Sequence, residues 1–123
     1  MAPRYRLSEP AEADIASILR DSRERHGVQA RLRYRALLSA ALRRIAGDPN
    51  GILTMERAEL GVGIRSFHIR HSRDDSAERP VGNPVHVIFY RAPAQGLVEV
   101  IRVLHDRMEP QRHMDTGATP EAT

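Results

Sequence analysis

With 123 residues, no cysteine and only 4% aromatic residues, the chain is sized for one domain with an aliphatic core, and disulfides, thiolate metal sites and cysteine nucleophiles are excluded. All 19 basic residues are arginine, so lysine chemistry is excluded too, and the net charge of +3 permits contact with polyanions without demanding it. The apolar runs fall short of the about 20 residues that a membrane span requires, and the first ten residues lack the apolar stretch of a secretory signal; the expectation is a soluble cytoplasmic protein.

In chain order, "RYRL" (4–7) reads as a short strand, because Tyr5 and Leu7 alternate with arginine. Ser8 then offers a helix N-cap, with Glu9 and Glu12 placed to favour the positive end of the helix dipole and Pro10 tolerated in the first turn. Ala11, Ile15, Ile18 and Leu19 follow at helical spacing, and Gly27 is placed to cap the C-terminus. A second helix starts at once: Ala30, Tyr34, Leu37, Leu38, Ala41, Leu42 and Ile45 form one apolar stripe, with Arg31, Arg35 and Arg43 on the wet side. "GDPNG" (47–51) stops it, so two amphipathic helices make a hairpin.

Residues 52–61 have no clear form. "VGIRSFHIR" (62–70) alternates like a strand, "PVHVIFYR" (84–91) is a second, "APAQG" (92–96) a turn and "LVEVIRVLH" (97–105) a third. In the last, Val98, Val100, Arg102 and Leu104 fall on one face and Ile101, Val103 and His105 on the other; both sets are largely apolar, which marks a central strand. The polar segment 71–83 between the first two of these strands reads as a mobile loop in which Asp74 and Asp75 are solvated. The order β-α-α-β-β-β gives an α+β class: a two-layer domain, residues 1–114, with a helical hairpin on an antiparallel sheet. Residues 115–123 read as a disordered tail, and the sheet's second face is left to the tail or a partner.

No P-loop, nucleophile elbow or zincin helix is present. His68 and His71 would point to opposite faces of a strand, and no metal site or cofactor is expected. Arg65, Arg102, His105 and Tyr90 could in principle hold a phosphodiester and supply a proton acceptor, which is enough to cleave RNA through its 2′-hydroxyl. The plainer reading has Arg102 and His105 forming ion pairs and caps at a strand end.

"IRVLHDRMEPQRHM" (101–114) resembles the C-terminal signature of ParE-type toxins in the RelE/ParE superfamily, commonly R-V-L-H-x-R-M-D-x-x-R-H. Arg102, Val103, Leu104, His105, Arg107, Met108, Arg112 and His113 match, with Glu109 in the acidic slot. The first helix carries the similar frame Ser8, Ala11, Asp14, Ile15 and Ile18, and the second resembles the family through Gly27, Ala30, Tyr34, Leu38 and Pro49. The resemblance covers residues 4–114, apart from a longer segment at 71–83. It implies the fold just derived and the toxin of a type II toxin–antitoxin system, a non-enzymatic inhibitor of DNA gyrase. The implied partner is a ParD-like antitoxin, of ribbon-helix-helix type, whose C-terminal segment folds onto the toxin. It implies target contacts at Arg102, His105, Arg107, Met108, Arg112 and His113, and antitoxin contacts at Arg65, Phe67 and Tyr90. No membrane contact and no sequence-specific nucleic-acid binding are implied. The superfamily's other branch, ribosome-dependent mRNA endonucleases of the RelE type, gives the alternative, in which Arg65, Arg102, His105 and Tyr90 would be catalytic. Several members of that branch use a lysine base, which this chain lacks.

Overall fold

The computed structural model describes residues 2–114; the tail expected to be disordered lies outside the described residues. Strand β1 (Arg4–Leu7) leads into α1 (Glu9–His26) and α2 (Val28–Gly47). The sheet continues with β2 (Met55–Glu56), β3 (Arg65–His68), β4 (His86–Ala94) and β5 (Leu97–His105), and the short α3 (Gln111–Met114) closes the described chain. The sheet order is β1-β5-β4-β3-β2, so β5 lies inside the sheet, as its two apolar faces require. The β2–β3, β3–β4 and β4–β5 pairs are antiparallel, whereas β1 joins β5 in parallel, with Arg4 opposite Leu97 and Leu7 opposite Val100. That pairing follows from connectivity: β1 is joined to the rest of the sheet only through the hairpin, which carries the chain over one face and away.

Ser8 ties the two layers together. Its Oγ accepts from Ala11 N at 3.1 Å, capping α1, and donates to the Ile101 carbonyl at 2.8 Å on β5. Between the helices the chain turns at Gly27, whose φ of 94° is one that a side chain would strain; its N–H caps the Arg23 carbonyl at 2.9 Å, so α2 starts without a linker. The hairpin buries Ala11, Leu19, Leu37, Leu38, Ala41, Leu42 and Ile45 against Phe67, Ile88, Tyr90, Val98, Val100 and Val103 of the sheet.

Four sequence expectations change. First, Phe89 pairs with Arg102 but Tyr90 with Val100, so Ile101 is an extra residue on β5, a bulge. It shifts the alternation by one, and Val103 joins Val98 and Val100 on the core face. Second, the strand expected over 62–70 is paired only over 65–68, and the one expected to end at 91 runs on to Ala94, leaving a two-residue turn at Gln95 and Gly96 (φ 79°). Third, the segment 71–83 is anchored. Residues Ile69–Asp75 form a 3-10 helix that buries Ile69 and Ser72, Arg44 donates to the His71 carbonyl (2.9 Å) and pairs with Asp75 (3.1 Å), and Val81 packs on the core. Fourth, the second face of the sheet is covered in part. Phe89 and Ser66 are buried there, with the Arg57 guanidinium 5.4 Å from the Phe89 ring centroid and 3.4 Å from Ser66 Oγ.

Candidate functional site

The C-terminal signature is positioned from inside by an ion pair between α1 and β5, the two elements whose residues carry the family resemblance. Arg102 donates through Nε to Asp14 Oδ2 and through Nη2 to Asp14 Oδ1, both at 2.8 Å. The same carboxylate accepts from Val103 N at 2.9 Å. Arg102 Nη1 reaches forward to the His113 carbonyl at 2.8 Å. One guanidinium thus joins α1, β5 and α3, and the hydrogen-bonded Asp14 carboxylate holds it still more firmly protonated, against the opposing effect of burial. The side chains of Arg102 and Asp14 are 15% and 13% exposed.

Past β5 the backbone folds into a tight turn: Asp106 N bonds the Val85 carbonyl (2.7 Å) and Met108 N the His105 carbonyl (3.0 Å). His105 Nδ1 accepts from Arg107 N at 3.1 Å, capping the strand end. Arg107 and Met108 then stand exposed at the apex, and Arg112 is exposed with Glu109 3.1 Å away.

Beside this turn lies an open groove of about 870 Å³ between the Gly27 end of the hairpin, the segment 81–86 and the end of β5. Ile18, Ala30, Val81 and Leu104 give it an apolar lining, and Asp21, Arg25 and Arg33 give it charged borders. Arg102, His105, Met108 and His113 line it as well, so the groove and the signature share residues. Tyr34 and His86 form its polar centre. The Tyr34 hydroxyl accepts from Val85 N (3.2 Å) and shares a hydrogen bond with His86 Nδ1 (2.6 Å). Burial, aided by His105, lowers the His86 pKa to about 4, and burial raises the Tyr34 phenol to about 12. His86 and His105 meet edge to face across β4 and β5 at 5.6 Å between centroids. The hydrogen bond from His68, 3.0 Å away, holds the Asp106 carboxyl below its ordinary value.

The expected contact residues divide accordingly. His105, Arg107, Met108, Arg112 and His113 are gathered around the turn and groove. Arg102 lines the groove as well, with its guanidinium held by Asp14. Phe67 (2% exposed) and Tyr90 (0%) are corrected as antitoxin contacts: both lie in the core under the helices, and the Tyr90 hydroxyl donates to the Pro49 carbonyl at 2.5 Å. Arg65 is half-buried and bonds Thr54 Oγ1 at 2.8 and 3.2 Å. The four groups suggested for RNA cleavage do not converge. Arg65 is opposite Tyr90, and Tyr90 opposite Val100, so His105 lies five residues further along β5, about 15 Å away at the usual strand rise. His71 leaves the strand with the 3-10 helix, so its ring comes edge-on to His68 at 6.5 Å instead of on the opposite face. Among the described residues no group of three His, Asp or Glu could hold a metal. The residues missed from sequence are Asp14 as the clamp and the Tyr34–His86 pair. Antiparallel alignment of the last two strands, which sets His86 opposite His105, could have found His86.

A helical hairpin on a five-stranded sheet of this order is the two-layer α+β arrangement expected of the RelE/ParE superfamily. Over residues 5–110 the chain matches the family described as ParE toxin of type II toxin-antitoxin system, parDE. It is 30% identical over 114 residues to Toxin ParE1 of Mycobacterium tuberculosis (strain ATCC 25618 / H37Rv), covering 93% of this chain and 100% of that protein. It is 33% identical over 110 residues to Toxin ParE1 of Caulobacter vibrioides, covering 89% and 96%. The chain belongs to the ParE toxin family of type II toxin–antitoxin systems, and its family implies a cognate antitoxin as partner. None of the described helices is long and apolar enough to cross a membrane.

Proposed function

We propose that this toxin inhibits DNA gyrase by binding rather than by catalysis, with the exposed turn Arg107–Met108 and the adjacent Arg112 as its target contact. The observation that carries the reading is the contrast within the signature. Its first residue, Arg102, is fixed internally, whereas Arg107 and Met108 are exposed on a hydrogen-bonded turn. A preorganised turn loses little freedom on docking. The separation of Arg65 and Tyr90 from His105 supports binding over RNA cleavage.

The same geometry accounts for neutralisation. A ParD-like antitoxin, with a ribbon-helix-helix N-terminal half, places the amphipathic helix of its C-terminal half in the groove, apolar face on Ile18, Ala30 and Leu104. Because His105, Met108 and His113 also line the groove, a bound antitoxin covers part of the target surface, and the two partners exclude each other. An interface of this kind buries more than about 1,000 Å² in total. The test is a growth-arrest assay with Arg107→Ala and Met108→Ala beside a binding assay with the cognate antitoxin. Arg107→Ala should lose toxicity and keep antitoxin affinity within a few-fold; Met108→Ala should lose toxicity and weaken both. Stable variants that remain fully toxic would move the target surface to the helical hairpin.

A further inference from the structure

The two helices of the hairpin differ sharply in charge. Helix α1 carries five acidic residues against three arginines, while α2 carries Arg31, Arg33, Arg35, Arg43 and Arg44 and no acid. A preference for arginine over lysine does not produce that asymmetry, because it leaves the distribution of acids untouched. Arg44 is engaged by Asp75 and the His71 carbonyl. Arg31, Arg35 and Arg43 have no ion-pair partner among the described residues.

Arg31, Arg35, Ser39 and Arg43 follow one another at i, i+4 spacing and form a single ridge on the outside of the helix. From Arg31 to Arg43 the ridge runs about 18 Å at the helical rise, the length of about five phosphates along one strand of a duplex. The arrangement is unfavourable to the isolated chain, since like charges at i, i+4 destabilise a helix by about 0.2–0.5 kcal/mol per pair. Nor does the first turn of α2 hold an acid to balance Arg31. Arg43 stands at the far end of the ridge, on the rim of a shallow hollow.

We propose that the outer ridge of α2 binds the phosphate backbone of duplex nucleic acid, independently of base sequence, as a surface separate from the groove and the C-terminal turn. Arginine suits phosphate through its planar, always-charged fork. The exposed large apolar residues of α2, Val28 and Leu32, lie only at its N-terminal end, so from Arg35 to Gly47 the outward face offers no apolar area for a protein segment to bury. No aromatic side chain is exposed on the helix, since Tyr34 is buried, and this rules out a stacking platform for single strands. The inference stands apart from the choice of toxin target.

The experiment measures binding of the purified full chain to a fluorescent 25-base-pair duplex of arbitrary sequence by anisotropy, from 50 to 200 mM salt. Three phosphate contacts predict a slope of log K against log salt of at least about −2.7, or roughly 40-fold over this range. The triple variant Arg31→Gln/Arg35→Gln/Arg43→Gln should lose that part of the slope and bind at least tenfold more weakly at 50 mM salt. The corresponding triple lysine variant should keep the slope, which guards against a folding artefact, and Arg20→Gln/Arg23→Gln/Arg70→Gln should bind like the parent. Equal losses in the two glutamine sets would reduce the effect to net charge and overturn the proposal. So would an absence of duplex binding, or a ridge that instead binds an acidic peptide more tightly than the duplex.

Discussion

Replacing Asp14 with alanine removes one carboxylate that accepts three hydrogen bonds: two from Arg102 at 2.8 Å and one from Val103 N at 2.9 Å. With both side chains about 85% shielded from solvent, the loss takes the carboxylate away from a guanidinium and from a backbone donor. Breaking a buried pair in this way costs about 3–5 kcal/mol. Arg102 keeps its bond to the His113 carbonyl and a small exposed area, so the low end, about 3 kcal/mol, is expected. Against the total stability of a small domain, about 5–15 kcal/mol, that is a large fraction. Urea unfolding followed by circular dichroism should show a lower midpoint with an unchanged slope. The double variant Asp14→Ala/Arg102→Met should recover part of the loss, because it also removes the guanidinium that the carboxylate held, giving a coupling energy of roughly 2 kcal/mol. An Asp14→Ala chain within about 0.5 kcal/mol of the parent, or strictly additive single effects, would refute the clamp and with it the account of how the turn is held.

Four further outcomes are expected. Ser8→Ala should destabilise by about 1–2 kcal/mol in the same urea assay, since it removes both the cap on α1 and the link to Ile101. Leu37→Ala, at a fully buried position between the layers, should cost about 2–5 kcal/mol, whereas Arg107→Ala should stay within about 1 kcal/mol in thermal melts while losing toxicity. The folded-state pKa of His86 is about 4 against an ordinary 6.5, so the unfolded chain binds more protons between these values. Its contribution is therefore complete above about pH 6.5 and lost as pH falls towards 4, by about 3 kcal/mol at most. His71, lowered chiefly by burial, acts with the same sign, so the comparison is with His86→Gln, whose urea midpoint should fall less over that window.

The hairpin was legible because a period of 3.6 over two long stripes, Ser8 and Gly27 all agree on where helices start and stop. The central position of β5 was legible from its two apolar faces. The bulge was not, since Ile101 looks like any other strand residue and only the partner strand shows that it is unpaired. For the same reason the burial of Tyr90 was not legible. In 86–91 both alternating sets are apolar, Ile88 with Tyr90 and Val87 with Phe89, so the sequence gives the alternation without saying which face the helices cover. The segment 71–83 is polar overall, which hid its anchors, the buried Ser72 and the partly buried Val81. The candidate site was half legible. The signature named the turn, but the pairing of Arg102 with Asp14, 88 residues away, appears only in three dimensions.

The central claim is that the chain acts on gyrase through its clamped turn, and one paired measurement tests it most directly. Purified toxin is titrated into a gyrase supercoiling reaction and, in parallel, into ribosomes carrying a defined mRNA. The account predicts dose-dependent loss of supercoiling, reversed by the cognate antitoxin, with the mRNA intact. Codon-linked cuts in the mRNA with supercoiling unchanged would contradict it.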